Sequence, residues 1–195
     1  MRYHNITKDD MLNGDGLRVV LWVAGCNHCC KECQNPVTWD PDGGLLFDDN
    51  AKQEIFDQLD KNYISGITFS GGDPLHPANR LDVKDLMAEI KEKYPDKTIW
   101  LYTGDVWEDI RQYPLMKYVD VLVDGEFHIA ERDPKLLWKG SRNQRVIDVQ
   151  ESLALFETQG EDAAPVLHCP DYSNEKDERE ARQTMEDMPV TSCLL

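Results

Sequence analysis

The chain has 195 residues, enough for one domain of ordinary size or for one domain with a tail. A formal net charge of −16 argues against nonspecific binding to a nucleic-acid backbone, which needs the opposite sign. No apolar run reaches the roughly 18 residues of a membrane span, and Met1-Arg2-Tyr3-His4-Asn5 lacks the apolar core of a secretory signal, so a cytoplasmic protein without membrane contact is expected.

In chain order, residues 5–17 are polar, with Asn13-Gly14-Asp15-Gly16 reading as a turn. Residues 19–23 are apolar without alternation, which suits a strand buried on both faces. Four cysteines follow within eight residues, and then a long irregular connection through Asn35-Pro36 and Pro41-Asp42-Gly43-Gly44. Asp48 or Asp49 caps a helix whose stripe is Ile55, Phe56, Leu59 and Tyr63. Ile67-Thr68-Phe69 is a short strand broken by Ser70-Gly71-Gly72-Asp73-Pro74. A second helix carries Val83, Leu86, Met87, Ile90 and Tyr94 and closes at Pro95. Strands are expected at 98–102, 119–123 and 145–149, with a weaker helical piece at 106–113.

This alternation predicts an α/β fold with right-handed crossovers and a mainly parallel sheet. Four strands end in reactive or glycine-bearing loops: the cysteines, Gly71-Gly72-Asp73, Thr103-Gly104 and Asp124-Gly125. Sites in such folds lie at the C-terminal ends of the strands. Five strands are too few for a complete eight-stranded barrel, so an open, partial (β/α) barrel is expected. Its domain spans residues 1–150. Residues 151–195 form an acidic extension, with 11 Asp/Glu against 3 Lys/Arg, read as disordered or as a short helix. Residues 161–165 read as linker.

In a cytosolic protein, clustered cysteines point to metal or catalysis rather than disulfides. Two ligand sets are available. Cys26, Cys29, Cys30 and Cys33 together would make a structural zinc site in a binding module without catalysis. Cys26-x3-Cys30-x2-Cys33 would give three thiolates for a [4Fe–4S] cluster and leave the fourth iron open. Cys29 and Cys30 are neighbours whose side chains diverge in extended backbone, which favours the second set.

The triplet Cys26, Cys30, Cys33 resembles the signature of radical S-adenosylmethionine enzymes, and Gly71-Gly72-Asp73 resembles the glycine-glycine-glutamate motif of that superfamily. A longer set is similar to the activating proteins of anaerobic (class III) ribonucleoside-triphosphate reductases: Asn13-Gly14-x-Gly16, Gly25-Cys26-x-His28, Asn35, Thr38-Trp39, Ser70-Gly71-Gly72-Asp73-Pro74-Leu75, Thr103-Gly104, Val123-Asp124-Gly125 and Trp138-x-Gly140-Ser141-x-Asn143-Gln144. The resemblance implies a partial barrel of the radical S-adenosylmethionine type, a [4Fe–4S] cluster on Cys26, Cys30 and Cys33, and S-adenosylmethionine as co-substrate. Reductive cleavage to methionine and a 5′-deoxyadenosyl radical would then install a glycyl radical on the large reductase subunit, with a one-electron donor such as flavodoxin. Pyruvate formate-lyase activation is the nearest alternative target.

By the same resemblance Glu32, Cys33 and Gln34 border the bound S-adenosylmethionine, and Gly71, Gly72 and Asp73 meet its methionine end. By a looser analogy with related activating enzymes, Thr103 and Asp124 would bind its outer part or a nearby cation, and no side-chain acid or base is implied. Departures from the family pattern are Asp15 for proline, Gln34 for an aromatic residue, Asp73 for glutamate and Glu126 for lysine. Among side chains to which the resemblance gives no role, His28 and His76 read as polar surface, Trp22 and Trp100 as core, and Cys169 and Cys193 as free thiols.

Overall fold

The structure, a computed structural model, describes residues 1–168. The charged stretch 174–188 and the thiols Cys169 and Cys193 lie outside the described residues. Eight strands and four helices follow in order: β1 (Arg2–Asp10), β2 (Leu17–Val23), β3 (Leu45–Leu46), α1 (Asp49–Leu59), β4 (Ile64–Gly71), α2 (Arg80–Lys93), β5 (Thr98–Tyr102), α3 (Trp107–Ile110), β6 (Val121–Asp124), β7 (Arg145–Asp148), α4 (Val149–Gln159) and β8 (Val166–Leu167). All eight strands form one open sheet in the order β3-β1-β2-β4-β5-β6-β7-β8.

The central strands β2, β4, β5 and β6 run parallel, as the alternation of strands and helices predicts. Val19, Val20, Leu21 and Val23 are fully buried, which explains the unbroken apolar run of β2. One face of the sheet packs on the helices through Val19, Leu21, Ile67, Phe69, Ile99, Leu101 and Leu122. Each such side chain contributes about 1.5–3 kcal/mol when fully buried. The opposite face carries a smaller cluster of Trp100, Val121 and Val123 with Tyr102, Trp138 and Val146.

Asp48 caps α1, accepting from Ala51 N at 2.9 Å. Ile55, Phe56 and Leu59 form its buried stripe, but Tyr63 falls beyond the helix and is exposed. Val83, Leu86, Met87 and Ile90 bury the inner face of α2, and Tyr94 ends it one residue before Pro95.

Three features differ from the pattern read in the sequence. Residues 5–10, read as polar connection, belong to β1, which pairs antiparallel with β2. Only one of its residues, Ile6, is buried, so no apolar pattern marked it. β7 returns antiparallel to β6, because the link between them holds only a single 3-10 turn and no crossover helix. The sheet also continues past residue 150: α4, the short helix expected in this stretch, packs on the core through Val149, and β8, which the sequence did not suggest, pairs with β7.

Candidate metal centre and its cavity

The cysteine loop grows out of the C-terminal end of β2 and is tied at its root. Gly25 N donates to Thr38 O (2.7 Å) and Cys26 N to Trp39 O (3.0 Å). The loop after β4 closes on the same root: Gly72 N donates to Val23 O (2.8 Å) and Asp73 N to Gly25 O (2.7 Å). Asn79, buried just before α2, donates through its one amide nitrogen to Ala24 O (2.7 Å) and Asp73 O (3.0 Å). A Cβ on Gly72 would lie 2.5 Å from Gly25 O, and one on Gly71, at φ +107°, 2.7 Å from Val23 N. The paired glycines therefore let two strand-end loops meet backbone to backbone.

In front of this junction lies an open cavity of about 600 Å³. Cys26, Cys30 and Cys33 line it together with Gln34, Gly71, Gly72 and Thr103. Cys29 does not; at φ +50° it turns away, is exposed, and faces a separate shallow depression with Lys31 and His128. Burial pushes the Cys26 thiol up to about 11 and raises Cys30 as well. Thiolates are the metal-binding form, so loading a metal here would release protons. Cys33 Sγ accepts from Asn35 N at 3.4 Å, a contact that orients it. Glu32 sits at φ +58°, exposed and off the cavity wall.

Asp73 is buried and already engaged. Its oxygens accept from Leu75 N (2.8 Å) and from Thr103 Oγ1 (3.0 and 3.1 Å), and Oδ2 lies 2.6 Å from His28 Nε2. His28 Nδ1 lies 3.1 Å from Glu126 Oε1. The hydrogen bond to Asp73, more than any other influence, pushes His28 up to about 9 against the opposing effect of burial. His28, Asp73 and Asp105 bring ligand atoms within 4.8 Å of one another. Both Asp73 oxygens already accept hydrogen bonds, so this trio is a clamp joining three loops. Asp124, also buried, accepts from Trp107 N (2.8 Å) and from Arg145 (3.1 and 2.5 Å), and it does not line the cavity. Of the acids expected at the site, Asp73 supports the cavity from behind, Asp124 braces β6 against β7, and Glu32 stands outside.

Residues 12–147 match the family model of a 4Fe-4S single cluster domain. The anaerobic ribonucleoside-triphosphate reductase-activating protein of Enterobacteria phage T4 is 46% identical over 146 residues, which cover 75% of this chain and 93% of that protein. The corresponding proteins of Haemophilus influenzae and Escherichia coli K12 are 41% and 39% identical, over 74% and 75% of this chain and 96% and 97% of their own lengths. The chain belongs to the family of anaerobic ribonucleoside-triphosphate reductase-activating proteins. As a member of that family it carries a 4Fe–4S single-cluster domain.

Several cavity residues escaped the sequence pattern. His28 is a half-buried clamp rather than polar surface, and Gly104 makes room for it: a Cβ there would lie 2.5 Å from the imidazole. Trp22, expected in the core, lines the cavity and donates to Thr7 Oγ1 at 2.7 Å, whereas Trp100 is buried as expected. Tyr102 and Trp138 form another part of the wall. The motif around Gln144 proves to be a zipper. Gln144 Nε2 donates to Gly125 O (2.9 Å), its Oε1 accepts from Gly140 N (2.9 Å), and Asn143 Nδ2 donates to Glu126 O (2.8 Å). The spacing of that motif within the resemblance was the only signal in the sequence for this brace.

Proposed function

We propose that this protein activates an anaerobic ribonucleoside-triphosphate reductase in the cytoplasm by generating a glycyl radical on its large subunit, with flavodoxin or a similar carrier as electron donor. The observation that carries this reading is that Cys26, Cys30 and Cys33 line one cavity while Cys29 is turned out of it. Three soft ligands, with no carboxylate between them on the loop wall, fit a [4Fe–4S] cluster with one iron left free for S-adenosylmethionine. When bound, that pair supplies one-electron cleavage to methionine and a 5′-deoxyadenosyl radical, the species that takes a hydrogen atom from a glycine.

The chain's own residues hold and shield. Cys26, Cys30 and Cys33 would ligate the cluster. The backbone of Gly71 and Gly72, bare of side chains, would face the methionine end. Gln34 and Thr103 stand on the same wall, and Thr103 is fixed by Asp73. Trp22, Tyr102 and Trp138 give the remaining wall apolar surface beside polar residues such as Arg132, Asp133 and Lys139. The open, parallel-centred sheet with all these loops at its strand ends supports a partial barrel of the radical S-adenosylmethionine type.

Anaerobic reconstitution tests the reading. The expected product is a brown protein with about four irons per chain, as a single cluster requires. Reductant should then release 5′-deoxyadenosine from S-adenosylmethionine, and mixing with the reductase should give a glycyl-radical signal by electron paramagnetic resonance. Alanine at Cys26, Cys30 or Cys33 should abolish full loading, and alanine at Cys29 should not. A colourless protein with one zinc, or a full cluster in Cys30→Ala, would overturn it.

A further inference from the structure

Residues 160–168 lie beyond the span matched by the family, which ends at residue 147. They nevertheless pack against a residue of the cavity wall, Trp138, through His168. β8 pairs with β7 through Ile147↔Leu167 and Asp148↔Val166, and His168 N donates to Val146 O at 2.9 Å. The near end is held too. Val166 N donates to Oγ of the buried Ser152 (2.9 Å), and Arg111, stacked on Phe156, donates to Glu161 O (3.1 Å).

The far end spans the sheet. β8 stands five places from β2 in the strand order, about 24 Å in a flat sheet at about 4.8 Å per step. Yet His168 Nε2 lies 2.7 Å from Asp15 Oδ2, in the loop that leads into β2. The sheet is therefore curled, and this contact joins its two sides on the face away from the helices. The imidazole packs edge-on to Trp100 (5.3 Å, 87°) and tilted against Trp138 (5.7 Å, 45°).

Trp138 lines the cavity and holds φ +59°, a left-handed conformation that a bulky residue keeps only where its neighbours fix it. Three neighbours do so here. Tyr102 Oη donates to Trp138 O at 2.7 Å, Trp100 meets the indole edge-on at 4.9 Å, and His168 closes the group. Of the three, only His168 comes from beyond the family span.

We infer that residues 160–168 form a strap that closes the curled sheet, and that His168 is a positioning residue for the Trp138 wall and so for the S-adenosylmethionine bound against it. The ligand half of this inference rests on the function proposed above; the strap itself does not.

The test separates the two. Near-ultraviolet circular dichroism of the apoprotein reports the Trp100–Trp138 pair without any cluster. His168→Ala and Asp15→Ala should each weaken that signal while the far-ultraviolet spectrum stays the same. In the loaded enzyme, His168→Ala should raise KM for S-adenosylmethionine about fivefold with kcat within about twofold of the parent. His168→Gln, which keeps an N–H toward Asp15, should restore both readouts. Parent-like near-ultraviolet spectra and KM in His168→Ala would overturn the inference. So would a lower Tm with both readouts unchanged, since His168 would then serve stability alone. If His168→Ala does not fold, Asp15→Ala on the other side of the contact decides by the same readouts. A loaded parent that cleaves no S-adenosylmethionine would sink the proposed function, and the apoprotein spectra would still decide the strap.

Discussion

His28 Nε2 lies 2.6 Å from Asp73 Oδ2, so the ring between two of the cavity cysteines is held by the loop that follows β4. With Glu126 on its other nitrogen and Gly104 beneath it, His28 ties the cysteine loop to three other strand ends. Lys31, exposed in the same loop, gives a handle on this clamp. In the apoprotein, His28→Ala should speed tryptic cleavage after Lys31 by about tenfold or more, the loss of a charge-assisted hydrogen bond being worth about 1.5–3 kcal/mol. Timed digestion followed by mass spectrometry reads this directly. A cleavage rate equal to the parent's would show that the loop is held by its root alone.

Gly72 carries a second prediction. The Cβ of Gly72→Ala would meet Gly25 O at 2.5 Å and Thr38 O at 2.8 Å, both backbone atoms that no side-chain rotation can clear. The variant should lose about 1–3 kcal/mol of stability, the usual range for overpacking. Because Gly25 immediately precedes Cys26, cluster loading should fall as well. Thermal melts and iron content together check this, and a fully loaded variant with parental Tm would refute the close approach.

How much of this was legible in the sequence follows from what each residue does. Strand β2 showed because Val19–Val23 is apolar without interruption, the other parallel strands showed as short apolar stretches ending in turn residues, and the helices showed because Ile55, Phe56 and Leu59, or Val83, Leu86, Met87 and Ile90, repeat at helical spacing. β1 did not show, because its residues are mostly half-exposed and polar. β8 did not show either, because two residues beside a proline carry no period. At the site, the cysteine spacing and the adjacency of Cys29 and Cys30 pointed to the three thiols that share the cavity wall. The fate of each carboxylate was hidden, because it depends on partners distant in sequence: Thr103 and His28 for Asp73, Arg145 and Trp107 for Asp124. His28 looked like surface for the same reason.

Arg18 sits fully buried beneath the cavity and donates to Thr68 Oγ1 (2.9 Å), Thr98 Oγ1 (2.9 Å), and the carbonyls of Asp15, Ile67 and Thr98 (2.8–3.0 Å). Burial lowers it to about 10, and its guanidinium lies 5.4 Å from the centre of the Trp100 ring. Arg18→Leu leaves these acceptors unpaired in the interior and should cost about 3 kcal/mol or more. Arg18→Lys should recover little, since one ammonium cannot reproduce the planar fork. Urea midpoints measure both; a lysine variant with the parental midpoint would show that the charge, not the fork, is what the site needs.

Arg145 links the brace behind β6 to solvent, pairing with Glu108 at 2.8 and 2.9 Å as well as with Asp124. The hydrogen bond from Arg145 holds the Glu108 carboxyl below its ordinary value of 4.5. A lowered folded-state value means that the pair stabilises in full above the unfolded value and loses that contribution as pH falls through the folded one. Glu108→Gln should therefore be slightly less stable than the parent at pH 7, by no more than about 1 kcal/mol for so exposed a pair. The gap should close as pH drops below 4.5, the ordinary value for the free carboxyl. Urea midpoints of parent and variant across that range test this. A gap that stays constant with pH would mean that the glutamate acts through packing of its stem rather than through its charge.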